Sequence, residues 1–356
     1  MRAMMTKTSL VGVFFIAGAV LSGCDDNKVV CNPLTTNCAV DLGVDLQNAD
    51  LGDGGCSDMG CLNGAITART SGTTKNLTAV TYNNTGKFVA VGDTGILLTS
   101  SDGINWTLGT DTGQSFTSIT NDGSTYVAVT ADATNGIFSS TDLTQAWDHS
   151  SSGIGKRVYS TAKGSVWVGI GAQGEAVTSL DGHDWSEASN GQVGGNPDLY
   201  SIYHLGTSSD PNIDMFLAVG ALGAVAIGSY DITHGTLSWG TSTQSAQPLD
   251  GIAYNGSNYV VVSQDHTTQT YTDILTSPNG TAWTKQSSGT QLGLAGVAWT
   301  GHVLIAVGKT GGVFLSNNGQ TWQNRTTGSA NFRSVNADGP RVVIVGEGGA
   351  IYTYEK

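Results

Sequence analysis

One short apolar run returns seven times along the chain. It reads FVAVG at 88–92, YVAVT at 126–130, WVGIG at 167–171, FLAVG at 216–220, YVVVS at 259–263, LIAVG at 304–308 and VVIVG at 342–346. Each run is continuous rather than alternating, the pattern of a strand covered on both faces. A strand such as NLTAVTY (76–82) comes before it, and a short turn leads to a third strand such as GILLTS (95–100). A polar phrase ending in Trp then closes the unit. Trp106, Trp147, Trp185, Trp239, Trp283 and Trp322 stand 41, 38, 54, 44 and 39 residues apart. A period near 40 predicts stacked copies of one unit of four short strands.

The polar phrase is TSSDGINW (99–106), TSLDGHDW (178–185), TSPNGTAW (276–283) and LSNNGQTW (315–322). Asp102-Gly103, Asp181-Gly182, Asn279-Gly280 and Asn318-Gly319 predict two-residue hairpin turns, which need positive φ at their centre. Ser100, Ser179, Ser277 and Ser316 stand two residues earlier, placed to hydrogen-bond the turn backbone. Trp106, Trp185, Trp283 and Trp322 are expected to begin the outer strand and fill the gap between neighbouring units. All of these are structural roles, not catalytic ones.

The phrase resembles the Asp-box, or bacterial neuraminidase repeat, with the acidic or amide residue four rather than five positions before Trp. Two copies are degenerate, SSTDLTQAW (139–147) and GSYDITHGTLSW (228–239). The repeat also resembles the photosystem II assembly/stability factor-like propellers over residues 64–356. That resemblance implies an all-β fold, a seven-bladed propeller of four-stranded antiparallel blades. The last unit stops after its third strand, while GAITARTSGTTKN (64–76) matches the tail of a unit. The N-terminal strand is therefore expected to close the ring and remove its open edge.

The start of the chain departs from this grammar. MRAMMTK carries Arg2 and Lys7, an apolar run SLVGVFFIAGAVL follows, and LSGC ends at Cys24. This resembles a bacterial lipoprotein signal, which implies removal of residues 1–23 and lipidation of Cys24. Residues 24–63 read as an anchored acidic linker. Cys31, Cys38, Cys56 and Cys61 all lie in it, and no cysteine follows. In an exported chain two disulfides are the plain expectation, the most local pairing being Cys31–Cys38 and Cys56–Cys61. Their spacing fits a zinc ribbon poorly. Asp41, Asp45, Asp50 and Asp53 read as a solvated spacer, because the oxygen-ligand spacing of an EF-type calcium loop is missing.

Charge narrows the partners. The chain has 15 Lys+Arg against 28 Asp+Glu, a net charge of −13. Removal of residues 1–23 takes two basic residues and leaves 13 against 28. Such a surface opposes the phosphate neutralisation that drives nucleic-acid binding. The expected setting is the cell envelope, with the membrane reached through the lipid and the propeller monomeric.

Chemistry is then sought where the inner strands line the axis. Aligned on Leu77, Phe116, Val158, Leu199, Leu249, Leu294 and Phe332, the strands show a small-residue column two positions on: Ala79, Ser118, Ser160, Ser201, Gly251, Gly296 and Ser334. One position on, the types differ: Thr78, Thr117, Tyr159, Tyr200, Asp250, Ala295 and Arg333. Asp250 and Arg333, flanked by Tyr159 and Tyr200, form the candidate ligand site at the channel mouth. The longest hairpin insertion, SQDHTTQTYTD (263–273), adds Asp265 and His266. The six histidines show no H-x-H or HExxH spacing, so neither metal nor cofactor is expected. The leading function is a lipid-anchored binding or assembly scaffold for a protein or glycan. A sialidase-type glycoside hydrolase needs three converging arginines, yet no Arg occurs between 158 and 324. A purely structural envelope protein is the third class.

Overall fold

The computed structural model describes residues 61–355 except 131–135, 151–154, 189–190 and 265–272. Before them it describes only the short strands Phe15–Ile16, Ala19–Val20, Val29–Cys31 and Cys38–Val40. Cys24, Cys56, Asp265 and His266 thus lie outside the described residues. Residues 1–55 and 56–356 form separate units. Within the first, Val29–Cys31 pairs antiparallel with Cys38–Val40, with Cys31 opposite Cys38.

The second unit is a seven-bladed propeller. Its inner strands are Leu77–Tyr82, Phe116–Asn121, Val158–Lys163, Leu199–Thr207, Leu249–Tyr254, Leu294–Trp299 and Phe332–Asp338, which open blades 1 to 7. Each blade is a four-stranded antiparallel sheet in chain order, except that the outer strand of blade 7 is Ala65–Arg69. That strand pairs with Ile351–Glu355, Ile351 facing Arg69 and Glu355 facing Ala65. The N-terminal strand closes the ring as expected.

The seven apolar runs are the second strands, and nearly every residue in them is buried. Burial on both faces follows because each blade lies between two others. The core is accordingly seven seams, one per pair of neighbouring blades. Six seams hold one repeat tryptophan each. Trp185, for example, packs with Val127 and Val129 of blade 2 and Val158 and Val177 of its own blade. The seam between blades 6 and 7 has Tyr354 in that role, because the outer strand of blade 7 comes from the other end of the chain.

The Ser-x-Asp/Asn-Gly turns differ from the expected two-residue hairpins. Only the glycine has positive φ, 74° at Gly103 and 83° at Gly182. The connection runs from Ser100 to Thr107. Asp102 Oδ1 accepts the backbone N–H of Ile104 and Asn105, each at 2.8 Å, and Ser100 Oγ accepts that of Gly103 at 2.8 Å. The carboxylate thus caps a wider turn. Asn279 and Asn318 do the same through their amide oxygens. The outer strand begins just after the tryptophan, whose indole N–H donates to the turn glycine: Trp106 to Gly103, Trp185 to Gly182, Trp283 to Gly280 and Trp322 to Gly319. In the two degenerate units the indole N–H of Trp147 and of Trp239 finds no acceptor among the described residues. Blade 4 replaces the turn with long strands, Ala224–Asp231 and Thr236–Thr243, and the Trp239 ring lies where a side chain on Gly228 would stand.

Deleting residues 64–70 should expose the edge strand Ile351–Glu355 and destabilise the whole ring by about 3 kcal/mol or more. Deleting residues 25–55 should leave its melting unchanged. Denaturant melts of both truncations check this, and equal effects would show that the closing pair does not hold the ring.

Candidate functional site

The variable column owes its position to a repeated irregularity. In all seven blades the ladder between first and second strands slips after the first inner residue, as between Leu77 and Ala79. The same slip falls at Phe116/Ser118, Val158/Ser160, Leu199/Ser201, Leu249/Gly251, Leu294/Gly296 and Phe332/Ser334. The residue skipped by each bulge is the variable one. A bulge re-aims a side chain and bends its strand. Here seven bulges bring Thr78, Thr117, Tyr159, Tyr200, Asp250, Ala295 and Arg333 around one end of the channel, and all but Ala295 offer a polar group.

The turns behind the bulges are built around a close approach. Five second strands end in Gly92, Gly171, Gly220, Gly308 and Gly346. A side chain on any of these would collide with the carbonyl of the residue before the inner strand; on Gly308 it would stand 1.9 Å from Gly293 O. That carbonyl instead accepts the N–H of the next turn residue, as Gly293 O does from Lys309 at 3.1 Å. Blades 2 and 5 end the strand in Thr130 and Ser263, and there the short turn gives way to a longer loop. The small column lies where inner strands meet: the Ser334 hydroxyl accepts the N–H of Val80 in the next blade at 3.3 Å.

The mouth cavity encloses about 570 Å³, with Tyr159, Tyr200, Asp250, Arg333, Asp93 and Glu347 among its lining. Tyr159, Tyr200, Asp250 and Arg333 thus share one cavity, as the candidate site requires, and Asp250 and Arg333 are not ion-paired with each other. Arg333 is ion-paired with Glu347, fourteen residues on in the turn of its own blade. Asn331 also donates to Glu347, at 2.8 Å. Asp250 accepts the backbone N–H of Gln264 at 2.9 Å and so anchors the start of the long loop of blade 5. The two tyrosine rings meet edge to face with centroids 5.6 Å apart, and the Arg157 guanidinium lies 5.8 Å from the centre of Tyr159.

The site's ionisation follows from these contacts. Burial opposes ionisation of Glu347, but hydrogen bonds from Asn331 and Arg333 outweigh it and hold its carboxyl below its ordinary value. The Tyr200 phenol is pushed up to about 12, first by burial and then by Asp198, Tyr159 and Asp250. Of the other arginines, Arg69 pairs with Glu355, Arg325 donates to the carbonyls of Leu62 and Gly64, and Arg341 pairs with Asp338.

Glu347, Asp93 and Asp198 escaped the column alignment because they sit in or before the turns. Leu222 escaped it too. It stands 75% exposed at the tip of the blade 4 turn with φ +55°, where the matching turns have Thr94, Gln173, Thr310 and Gly348. The neighbouring Ala221 N–H donates to Asp198 O at 2.8 Å, which ties this turn to the start of the inner strand that carries Tyr200. The far end of the channel, with its own cavity of about 620 Å³, was also missed.

These features define a class: a seven-bladed propeller with a polar, bulge-built mouth. Among solved structures the chain is similar to YCF48 from Cyanidioschyzon merolae, at 14% identity and TM-score 0.62, over 82% of this chain and 98% of that one. It is similar to YCF48 bound to D1 peptide, at 17% identity and TM-score 0.62, over 82% and 97%. It is also similar to a catalytically inactive virginiamycin B lyase from Staphylococcus aureus solved with quinupristin, at 12% identity and TM-score 0.65, over 83% and 100%. At such identities the likeness is one of fold. No protein-family model and no curated protein sequence matches the chain.

The raised Tyr200 value gives a pH prediction with a definite sign. In the unfolded chain a tyrosine loses its proton near ~10, while folded Tyr200 keeps its proton up to about 12. The folded state therefore binds more protons in that window, and stability falls as pH rises through it. Urea midpoints at about pH 9.5 and 11.5 should differ less in Tyr200→Phe than in the parent. An equal drop in both would show that Tyr200 titrates normally.

Proposed function

We propose that this chain is an exported, lipid-anchored propeller that binds a basic segment of an envelope protein at its bulge-built mouth without turning it over. The observation that carries this reading is the bulge column: seven repeated irregularities present differing side chains to one cavity, while the residues beside them stay small. Asp93, Asp250 and Glu347 line the cavity against a single Arg333, so its charge favours a cationic ligand. The Tyr200 ring offers a face for a guanidinium or ammonium group, as the Tyr159 ring already does for Arg157. Leu222 adds an exposed apolar contact at the rim, which suits a protein better than a glycan. The peptide complex of YCF48 agrees with peptide binding on such a fold. Anchoring rests on LSGC and Cys24, and the Cys31–Cys38 disulfide is supported by their facing positions on paired strands.

Two experiments test the reading. A photo-crosslinking residue at Thr117 should capture an envelope protein in cells, and the same residue at Leu180 should not. Asp250→Asn, which keeps an oxygen to accept the Gln264 N–H, should weaken that capture about tenfold with little change in melting. Equal capture from Thr117 and Leu180, or hydrolysis of sialosides abolished by Tyr200→Phe, would overturn binding at the mouth. Separately, Cys24→Ser should abolish lipid labelling, whereas labelling that persists would rule out the anchor.

A further inference from the structure

The channel's other end, on the side of the Ser-x-Asp/Asn-Gly turns, carries a different chemistry. Its cavity of about 620 Å³ falls within the range of small-ligand sites. Three consecutive blades line it with aromatic rings: Tyr203 from blade 4, Tyr254 from blade 5 and Trp299 from blade 6. Tyr259 backs this wall, its ring centre 4.6 Å from that of Tyr254 and 6.3 Å from that of Tyr203. All four rings are partly exposed. Blades 2, 3 and 7 supply Thr120, Lys163 and Asn336 instead.

His204, beside Tyr203, is the built polar group of this cavity. Its Nε2 lies 2.6 Å from Asp214 Oδ1, and Asp214 is 1% exposed. The second oxygen of Asp214 accepts the backbone N–H of Ser165 at 2.6 Å and its hydroxyl at 2.7 Å. The imidazole is thus held in one orientation by a buried carboxylate that is itself fixed. In the neutral tautomer that donates Nε2–H to Asp214, Nδ1 is an acceptor.

The charges at this end are internally matched. Asp214 faces His204, Lys163 Nζ donates to the carbonyls of Gly164 and Ser165 at 2.7 and 3.2 Å and its charge helps to hold Asp122 ionised, and Arg341, beside the lining Tyr82, pairs with Asp338. Among the described residues each cation of this end thus has a carboxylate nearby, and the net charge of −13 repels an anion. Aromatic faces carry negative potential and attract the C–H face of a sugar ring, while a fixed acceptor suits a hydroxyl. We propose that this mouth binds a neutral saccharide, with a pyranose ring stacked on the wall of Tyr254 and Trp299 and a hydroxyl donated to His204. The site is separate from the mouth assigned to a protein segment and does not depend on that reading.

The test titrates the purified full chain with four uncharged tetrasaccharides: cellotetraose, maltotetraose, mannotetraose and tetra-N-acetylchitotetraose. Tryptophan fluorescence and saturation-transfer NMR report binding. At least one should bind with Kd of about 1 mM or tighter. Trp299→Ala and Tyr254→Ala should each weaken it about tenfold, and His204→Ala more than His204→Gln. Arg333→Ala, at the opposite mouth, should leave it unchanged. Melting curves identify any variant that fails to fold, and Tyr203→Ala then replaces it. No binding of any of the four at about 10 mM overturns the proposal. So does binding that survives both aromatic substitutions in folded protein, or a mouth that takes a peptide instead.

Discussion

Every blade in this ring buries both faces, so no blade is complete without its two neighbours. The pairing of Ala65–Arg69 with Ile351–Glu355 is what makes that possible for blade 7. Without it the last sheet would end in an open edge. The contact joins residues about 290 apart in sequence, as in the bond from Gly64 N–H to the Tyr354 hydroxyl at 3.2 Å. It is more non-local even than the seam where blade 7 meets blade 1, in which the Val80–Ser334 bond spans 254 residues.

Closure fixes the circle, and two smaller constraints fix what points into it. Glycine at the end of a second strand lets a carbonyl approach to a distance no side chain would permit. The turn that follows can then stay short, which keeps Asp93 and Glu347 near the cavity. The bulge beside that turn frees one residue per blade from the ladder. Stability demands are met by the apolar second strands and the seams, which leaves the freed residues open to vary. Charge and aromatic surface have settled differently at the two ends of the same channel: mixed and net acidic at one, aromatic and matched at the other.

Much of this was legible in the sequence. The buried strands declared themselves by continuous apolar runs, the repeat by its tryptophans, and the closing strand by the missing tail of the last unit. The inner-strand alignment on Leu77 and its counterparts matches the strand starts in the structure. What stayed hidden were pairings. A bulge is a property of two strands, so Tyr159 and Asp250 showed up as a variable column without a reason. Arg333 and Asp250 were grouped as site residues because both stand in that column, whereas the ion-pair partner of Arg333, Glu347, sits in a turn whose fold brings it back. The Asp-Gly and Asn-Gly pairs of the polar phrase suggested a two-residue hairpin; the serines bond the turn backbone as expected, but only the side-chain bonds show that Asp102 caps a wider loop. The 263–273 insertion was legible by its length, whereas the steric rule that separates Thr130 and Ser263 from the five glycines needs the carbonyl's position to be seen.

The closing strand has a mechanical side. The chain enters the ring at Gly64, and the residues just before it are tied down at once. Arg325 donates to the carbonyls of Leu62 and Gly64, and Tyr354 takes the N–H of Gly64. Any tension on the preceding chain meets these bonds first and the strand pair behind them second. The seam that carries this load is the one built around Tyr354 rather than a repeat tryptophan. A tug on the preceding chain is thus felt at the outer strand of blade 7, whereas both mouths are lined by inner strands.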